Sequence, residues 1–270
     1  MREYPRYITP GFVPFNPVEL ALRTERMVTR PGEEGQERKY TAFYSVPVYR
    51  GIATGYGVGC CLRCFYCWSS FSRDFPETYG DFYSPTQAFE QLKRAAKEGI
   101  KYGRMTWWLL RINKARISGC EPTIGREHLL KLLELVEESS EFKLFILETN
   151  GILIGWDKSY AKALSKLSKV HVRVSIKAGT REGFTWRTGA QGEFYELPFK
   201  ALENLLDAGV SCHAAAMTDP RIMSKEERKK ILERLFEIDV SLAVNLEEEV
   251  INPYETTIFR LKKAGIEMRL

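Results

Sequence analysis

Apolar runs typical of β-strands alternate with helical patterns along most of the chain, from about residue 46 onward. The runs that predict strands lie at 142–149, 170–178, 209–217 and 239–247. Apolar residues at helical spacing, with capping residues before them, predict helices at 85–99, 126–139, 159–167, 198–208, 224–237 and 254–264. Because strands that alternate with helices pair in parallel through right-handed crossovers, this order predicts an α/β fold.

Two of these predicted strands have one apolar and one polar face. In 170–177, alternate positions give an apolar face of Val170, Val172, Val174 and Ile176 and a polar face of His171, Arg173, Ser175 and Lys177. In 241–247, they give Leu242, Val244 and Leu246 opposite Ser241, Ala243, Asn245 and Glu247. Strands of a doubly wound sheet are apolar on both faces, so a polar face favours a curved sheet whose concave side lines a site. We therefore predict an open (β/α) barrel, with the alternative that Arg173 pairs with Glu148 or Glu247 purely as interior structure.

The first 45 residues differ from the rest of the chain. Five of the twelve prolines lie in the first 31 residues, and the polar run at 31–39 has no periodicity. This pattern predicts an N-terminal extended arm with an exposed loop. Since no second zone of distinct composition follows, we divide the chain into an N-terminal extension, 1–45, and one barrel domain, 46–270.

Composition and charge exclude several classes of protein. Apolar residues make up 44% and charged residues 28%, which is typical of a globular protein and excludes disordered, collagenous and low-complexity chains. The net charge of +5 is spread over segments of mixed sign, so it does not by itself require a nucleic-acid or membrane partner. The first residues lack the apolar core of a secretory signal, and no run of about 18 apolar residues is present. We expect a cytoplasmic protein that does not bind a membrane.

Four of the six cysteines lie in one eight-residue span, with Cys60, Cys64 and Cys67 at C-x3-C-x2-C spacing and Cys61 between them. Thiols stay reduced in the cytoplasm, so this clustering favours metal or redox chemistry over disulfides. The C-x3-C-x2-C spacing lets one loop present three thiolates to an iron–sulfur cluster. Four cysteines would saturate such a cluster, whereas three leave one iron free to bind a substrate or cofactor.

Zinc is an alternative ligand for this loop. A structural zinc ion needs a fourth ligand, usually from a second paired motif. The isolated candidates are Cys120, Cys212, His128, His171 and His213. They form no such pair, so zinc and simple buried cysteines remain the weaker interpretations.

The cysteine loop, with Tyr66 just before its last cysteine, resembles the signature of the radical S-adenosylmethionine (SAM) superfamily. The run Gly-Cys-Glu-Pro at 119–122 is similar to the Gly-Gly-Glu-Pro segment that follows the second strand of that family. ETNG at 148–151, VSIK at 174–177 and TG at 188–189 resemble segments of the branch that activates glycyl-radical enzymes such as pyruvate formate-lyase. That branch has aspartate at the positions of Glu148 and Ser175. The matching runs follow the same order over about 50–220.

The resemblance implies a partial (β/α)6 TIM-like barrel with a [4Fe–4S] cluster and SAM at the C-terminal ends of its strands. Carried over by position, Cys60, Cys64 and Cys67 bind the cluster and Tyr66 contacts adenine. Ser118, Gly119 and Glu121 hold the methionine amino group, Ser175 faces the ribose, and Lys177 binds the carboxylate. The strand order places further polar residues at the same rim, namely Glu148, Thr149, Asn150, Asn245 and Glu247, of which Asn150 is a further candidate for cofactor binding.

The implied activity is reductive cleavage of SAM to methionine and a 5′-deoxyadenosyl radical that abstracts hydrogen from a substrate. The implied partners are a low-potential electron donor, flavodoxin or ferredoxin, and a protein or peptide substrate. Two segments rich in aromatic residues and arginine, 104–116 and 178–198, contain Trp107, Trp108, Phe184 and Trp186. They are candidates either for substrate contact or for ordinary packing.

Two other functions stay open. CFYCW followed by SG-x-EPT also resembles the tRNA-modifying wybutosine branch, which needs three further cluster cysteines, and Cys61, Cys120 and Cys212 are not spaced for them. Nucleic acid is also less favoured because no basic patch is evident. A non-enzymatic iron–sulfur carrier or zinc-binding module would explain the cysteine loop but not the Gly-x-Glu-Pro run or the polar strand faces.

Overall fold

A computed structural model describes residues 3–102, 105–107 and 112–268, without the side chains of 101–102 and 105–107. The described residues form one eleven-stranded sheet with helices packed against it. The strands are β1 Thr29–Gly32, β2 Gly35–Val46, β3 Ile52–Gly57, β4 Asp81–Tyr83, β5 Ile100–Tyr102, β6 Met105–Trp107, β7 Lys114–Ser118, β8 Leu144–Thr149, β9 Val170–Ile176, β10 Cys212–Met217 and β11 Glu247–Glu249. The helices are α1 Pro17–Val28, α2 Pro85–Glu98, α3 Arg126–Glu138, α4 Ile152–Trp156, α5 Ser159–Leu164, α6 Arg181–Thr188, α7 Leu197–Asp207, α8 Lys225–Ile238, α9 Val240–Val244 and α10 Glu255–Lys263.

Six strands form a parallel unit inside this sheet, in the order β3, β7, β8, β9, β10, β11. Helices α2, α3, α5, α7 and α8 connect them in turn, and α10 follows the last strand. In the described residues β11 pairs with β10 alone, so the barrel is open rather than closed. The predicted partial (β/α)6 barrel is confirmed.

The two-faced pattern of β9 explains how the core and the site share one sheet. Val170, Val172, Val174 and Ile176 are buried in the apolar core, which also takes residues of α3 and α7 such as Leu132 and Leu202. The opposite, polar face of β9 points into the concave interior, where Arg173, Ser175 and Lys177 line a cavity. The polar strand face therefore marks the inside of the barrel, as predicted.

The predicted strand at 239–247 is wrong. Asp239 accepts a hydrogen bond from Ser241 N at 2.8 Å and begins the short helix α9 instead. Within that helix Leu242 is buried, whereas Val244 is 76% exposed, so the alternating apolar residues do not form one buried face. Asn245 ends α9, where its Nδ2 donates to Ser241 O. The prediction that Asn245 lies at the rim is therefore wrong, because it does not line the cavity there.

The N-terminal 45 residues contain a helix that the sequence pattern does not predict. Asn16 accepts hydrogen bonds from Val18 N and Glu19 N and begins α1, with Pro17 in its first turn. Extended segments lie on both sides of this helix, and β2 joins the sheet by pairing antiparallel with β3. A domain boundary between 45 and 46 stays a prediction. None of the described helices is both long and apolar enough to cross a bilayer.

Candidate functional site

A cavity of about 550 Å³ lies where the parallel strands end. The loop after β3 and the ends of β7, β8 and β9 bring most of the predicted site residues into its wall, namely Cys60, Cys64, Cys67, Ser118, Gly119, Glu121, Asn150, Ser175 and Lys177. Strand β11 adds Glu247 and Glu249. Residues distant in sequence therefore meet at one rim, which is where barrel folds carry their chemistry.

The backbone of the cysteine loop is tied to the segment after α6. Arg63 N donates to Thr188 O at 2.8 Å, and Phe65 N donates to Arg187 O at 3.2 Å. Thr188 belongs to the TG pair at 188–189, which resembles a segment of the activating enzymes. That pair thus has a structural role beside the loop, since its carbonyl fixes the loop against the barrel.

The thiols of this loop differ in acidity. A hydrogen bond from the Cys61 thiol lowers the pKa of Cys60 to about 7, and Leu62 N also donates to Cys60 Sγ at 3.4 Å. Burial raises the pKa of Cys64 to about 11. All six cysteines are free, and no three His, Cys, Asp or Glu side chains in the described part of the chain converge as ligands of a single metal ion.

The Gly-Cys-Glu-Pro turn after β7 requires glycine at its first position. Gly119 has a φ of 78°, and a Cβ built on it would lie 2.4 Å from the ring of Tyr56. A side chain there meets both an unfavourable backbone conformation and a steric clash. The close approach lets the turn backbone face the cavity beside the cysteine loop.

We expect Gly119→Ala to destabilise the protein more than Gly209→Ala. Gly209 has a similar φ of 71°, but a Cβ there has no atom within 4 Å, so its substitution tests the backbone conformation alone. That conformation costs about 1–2 kcal/mol for a residue with a side chain. Urea unfolding of both variants measures the difference, and equal losses of unfolding free energy would contradict the close packing of Gly119 against Tyr56.

Glu121 ties the turn after β7 to the end of β8. Its carboxylate, 2% exposed, accepts hydrogen bonds from Thr123 N at 3.2 Å and Thr123 Oγ1 at 2.6 Å. It also accepts from Thr149 Oγ1 at 2.7 Å and Asn150 N at 2.8 Å. Four donors on one carboxylate make Glu121 a structural link as well as a candidate ligand of the cofactor.

Asn150 connects this network to the cysteine loop. Its Nδ2 donates to Cys61 Sγ at 3.3 Å and lies 3.8 Å from Cys60 Sγ, and its Oδ1 accepts from Ile152 N. Cys120 also lines the cavity, and its Sγ accepts a hydrogen bond from Arg38 at 3.4 Å. Burial raises the pKa of Cys120 to about 11.

The opposite wall is an ionic network on β9 and β11. Arg173 donates to Glu247 at 2.8 and 3.0 Å and to Glu249 at 2.8 Å. Ser175 Oγ donates to Glu249 at 3.2 Å and accepts from Lys177 Nζ at 2.5 Å. The hydrogen bonds from Arg173 lower the pKa of Glu247 to about 2. Burial opposes ionisation of Glu249, but the charges of Lys177 and Arg173 still hold its pKa below the ordinary value.

Two residues of the cavity wall, Glu249 and Tyr49, were not predicted from the sequence as site residues. Glu249 follows Glu247 at strand spacing, and this alternation is the signal that could have placed it on the inner face of a strand beginning at 247. Tyr49 has a φ of 53° and donates to Glu148 at 2.8 Å. Arg116, not Arg173, forms the ion pair with Glu148, at 2.7 Å.

Tyr66, predicted to contact adenine, is buried but does not line the cavity. Its hydroxyl has no hydrogen-bond partner among the described residues. In the aromatic segment after β9, Phe184 is buried and Trp186 packs edge-on against Phe65 with ring centroids 4.8 Å apart. These two residues pack rather than line the cavity, while Trp108 and the side chain of Trp107 lie outside the described residues.

A comparison of the sequence with protein-family models shows which family the chain belongs to. Residues 55–235 match the radical SAM superfamily. The chain belongs to this superfamily. Radical SAM enzymes use a [4Fe–4S] cluster and SAM as cofactors, and they require an electron donor. The predicted superfamily is therefore confirmed, whereas the narrower resemblance to activating enzymes is not.

Curated relatives of this chain share limited identity with it and match over part of its length. A GTP 3′,8-cyclase of Clostridium perfringens is 28% identical over 145 residues, which cover 54% of this chain and 40% of the cyclase. The radical SAM chain thus spans less than half of this curated relative.

Solved structures show the same fold. Streptococcus suis SuiB bound to its precursor peptide SuiA has a TM-score of 0.54 at 17% identity, covering 72% of this chain and 38% of SuiB. A structure of TYW1 with a lysine-pyruvate adduct bound has a TM-score of 0.54 at 16% identity, covering 91% and 82%. At these identities the likeness concerns the fold alone.

Proposed function

We propose that Cys60, Cys64 and Cys67 bind the [4Fe–4S] cluster and that the adjoining cavity binds SAM. One observation carries this proposal: three free thiols and the ends of β7, β8 and β9 lie in the wall of one cavity of about 550 Å³. The residues fit such a group. Three protein ligands leave one iron position for the amino acid part of SAM, and the unpartnered hydroxyl of Tyr66 lies buried just before the last cysteine.

Polar groups suited to the parts of SAM line the same cavity. We assign the methionine carboxylate to Lys177, whose ammonium has no carboxylate within ion-pair distance among the described residues and bonds only Ser175 Oγ there. The amino group is assigned to the turn of Ser118, Gly119 and Glu121. Ser175 is then placed for the ribose. Tyr66 does not line the cavity, but it lies buried between the cavity-lining Cys64 and Cys67, and we propose that it contacts the adenine once SAM is bound.

When bound, the cluster supplies the electron that cleaves SAM into methionine and the 5′-deoxyadenosyl radical. The chain's own residues bind and orient SAM and keep water away, because radical chemistry depends on positioning rather than on acid or base groups. The electron donor is proposed to be a flavodoxin or a ferredoxin. Such donors work in the cytoplasm, which is the location we propose.

We propose a polypeptide as the substrate, as in activating enzymes. The three arginines that line the cavity are already paired, Arg73 with Asp74, Arg116 with Glu148, and Arg173 with Glu247 and Glu249. A polyphosphate or an RNA backbone would need several unpaired basic groups. A polypeptide loop needs none, so the compensated charge of the wall favours it.

A nucleotide is the second candidate, because the cyclase relative named above acts on GTP by name. The tRNA alternative has less support. Cys120 lies beside Arg38 in the cavity wall and Cys212 begins β10, so the described cysteines form no second cluster motif.

The decisive experiment measures 5′-deoxyadenosine formed by the reduced, reconstituted enzyme with candidate polypeptides, with GTP, with tRNA and without substrate. We expect stimulation by a polypeptide, accompanied by a changed residue or a glycyl radical signal. Stimulation by GTP or tRNA, with deuterium transfer from that molecule into 5′-deoxyadenosine, would replace the polypeptide proposal. Absence of any SAM cleavage by the cluster-containing enzyme would contradict the cofactor assignment.

A further inference from the structure

Each cysteine of the C-x3-C-x2-C loop has its carbonyl oxygen held by a buried arginine. The three hydrogen bonds run from Arg63 Nη1 to Cys60 O at 2.7 Å, from Arg73 Nη1 to Cys64 O at 2.8 Å, and from Arg260 Nη1 to Cys67 O at 2.6 Å. None of the three arginines is more than 2% exposed. We call them the arginine collar.

The collar is assembled from three separate parts of the chain. Arg63 belongs to the loop itself, Arg73 ends the turn that follows it, and Arg260 comes from α10. Arg260 also donates to Ser69 O at 2.6 Å and Ser70 O at 3.1 Å. The C-terminal helix thus reaches back by about 190 residues to hold the backbone beside Cys67.

The charge of the collar is only partly compensated. Asp74, fully buried, forms ion pairs with both Arg73 and Arg260. Arg63 has no carboxylate within ion-pair distance among the described residues. It bonds the carbonyls of Pro5, Cys60 and Leu62, and its Nη2 has no hydrogen-bond partner there. One carboxylate therefore faces three guanidinium groups.

Holding a carbonyl does not require a charge, since a neutral amide donor would do the same. Burying a guanidinium group without a counterion is costly, so two uncompensated positive charges beside three thiols need a negatively charged partner. A cluster with three thiolate ligands is such a partner, and its negative charge grows by one when it is reduced. In a site of low dielectric constant, a nearby positive charge favours the reduced form.

We propose that Arg63, Arg73 and Arg260 stabilise the reduced state of the cluster and so raise its reduction potential. Arg63, the arginine without a carboxylate, is the main contributor. This inference rests on the proposed binding of the cluster by Cys60, Cys64 and Cys67. The step is a one-electron transfer from an external donor, such as dithionite in the test, to the cluster. The arginines keep their protons throughout and act as positioning residues with a fixed charge.

The test compares two substitutions that change the local charge in opposite directions. Arg63→Gln keeps a donor for Cys60 O but removes a positive charge, whereas Asp74→Asn removes the negative one. After iron analysis confirms the cluster in each variant, an EPR-monitored redox titration gives the potential. We expect Arg63→Gln to lower the ratio of reduced to oxidised cluster at the wild-type midpoint at least tenfold, a shift of about 59 mV for one electron. Asp74→Asn is expected to shift the potential the other way.

Two control variants separate charge from structure. Arg63→Lys keeps the charge and is expected to stay near the wild-type potential. Arg234→Gln makes the same change of net charge on the outer helix α8, where Arg234 pairs with Glu203, and is expected to have no effect. Intact clusters with unchanged potentials in Arg63→Gln, or equal shifts in Arg63→Gln and Arg63→Lys, would overturn the inference. If Asp74→Asn loses its cluster, the two Arg63 variants decide. A wild-type chain that binds no cluster would contradict the proposed function instead.

Discussion

Alanine at Cys60, Cys64 or Cys67 is expected to abolish the absorption and EPR signals of the cluster after anaerobic reconstitution, and with them SAM cleavage. Each thiol supplies one of the three protein ligands, so removing one leaves an iron without its anchor. Iron should fall from about four per chain towards zero in each variant. Iron analysis and EPR after reduction measure this loss directly.

Cys61→Ala is the matched control, because Cys61 is adjacent to Cys60 and fully buried. We expect it to keep the cluster, although it removes the hydrogen bond that lowers the pKa of Cys60. Cys212 is the first residue of β10, whereas the cavity lies where the parallel strands end, so Cys212→Ala should have no effect on iron content. Four irons retained by Cys60→Ala together with loss in Cys61→Ala would instead make Cys61 the ligand.

Much of the barrel could be predicted from local sequence signals. The predicted helices at 85–99 and 126–139 correspond to α2 and α3 to within one residue, because Ser84 caps the first and both carry clear apolar stripes. The two-faced strand at 170–177 is found as β9. These features depend on neighbours along the chain, which a sequence pattern records.

The error at 239–247 has a local cause that alternation conceals. Val240, Leu242 and Val244 alternate as in a strand, but the side chain of Asp239 caps a helix at this point. Only Leu242 is buried among the three. A short segment with both a capping residue and alternating apolar residues suits either structure, so packing against the neighbouring elements decides.

The cysteine loop and the rim residues could be predicted because they lie in short motifs. The arginine collar could not be predicted, because nothing in the sequence distinguishes Arg73 and Arg260 from ordinary surface arginines. Their role follows from contacts between distant parts of the chain, such as Arg260 with Cys67. The sequence offers Glu247 as an alternative partner of Arg173, but it does not indicate the second partner Glu249, 76 residues away. Sequence motifs indicate which groups take part in the chemistry, but the surrounding charges depend on the tertiary fold.

Lys177 and Glu121 were both predicted to bind the methionine part of SAM, but their contacts predict different effects of substitution. Lys177 makes one hydrogen bond, to Ser175, and contributes charge beside Glu249. Glu121 accepts four hydrogen bonds that link two strand ends. Loss of Lys177 should therefore change mainly ligand binding, with a smaller effect on stability through Glu249, whereas Glu121→Gln should change both binding and stability.

Lys177→Met is expected to weaken SAM binding about tenfold to a hundredfold while the iron content and the free energy of unfolding stay close to wild type. A charge-assisted contact contributes roughly 1.5–3 kcal/mol, which corresponds to this range of affinity. Glu121→Gln should weaken SAM binding and also lower the free energy of unfolding by about 1–3 kcal/mol, because its new amide must face a donor such as Asn150 N or Thr149 Oγ1.

Equilibrium SAM binding to the reconstituted protein and urea unfolding measure the two effects separately. Lys262→Met, on the exposed side of α10, is the control for the loss of a lysine charge. Unchanged SAM affinity in Lys177→Met would contradict the carboxylate assignment, and Arg173, two residues earlier on the same inner face, would then be the next candidate once its pairing with Glu247 is broken.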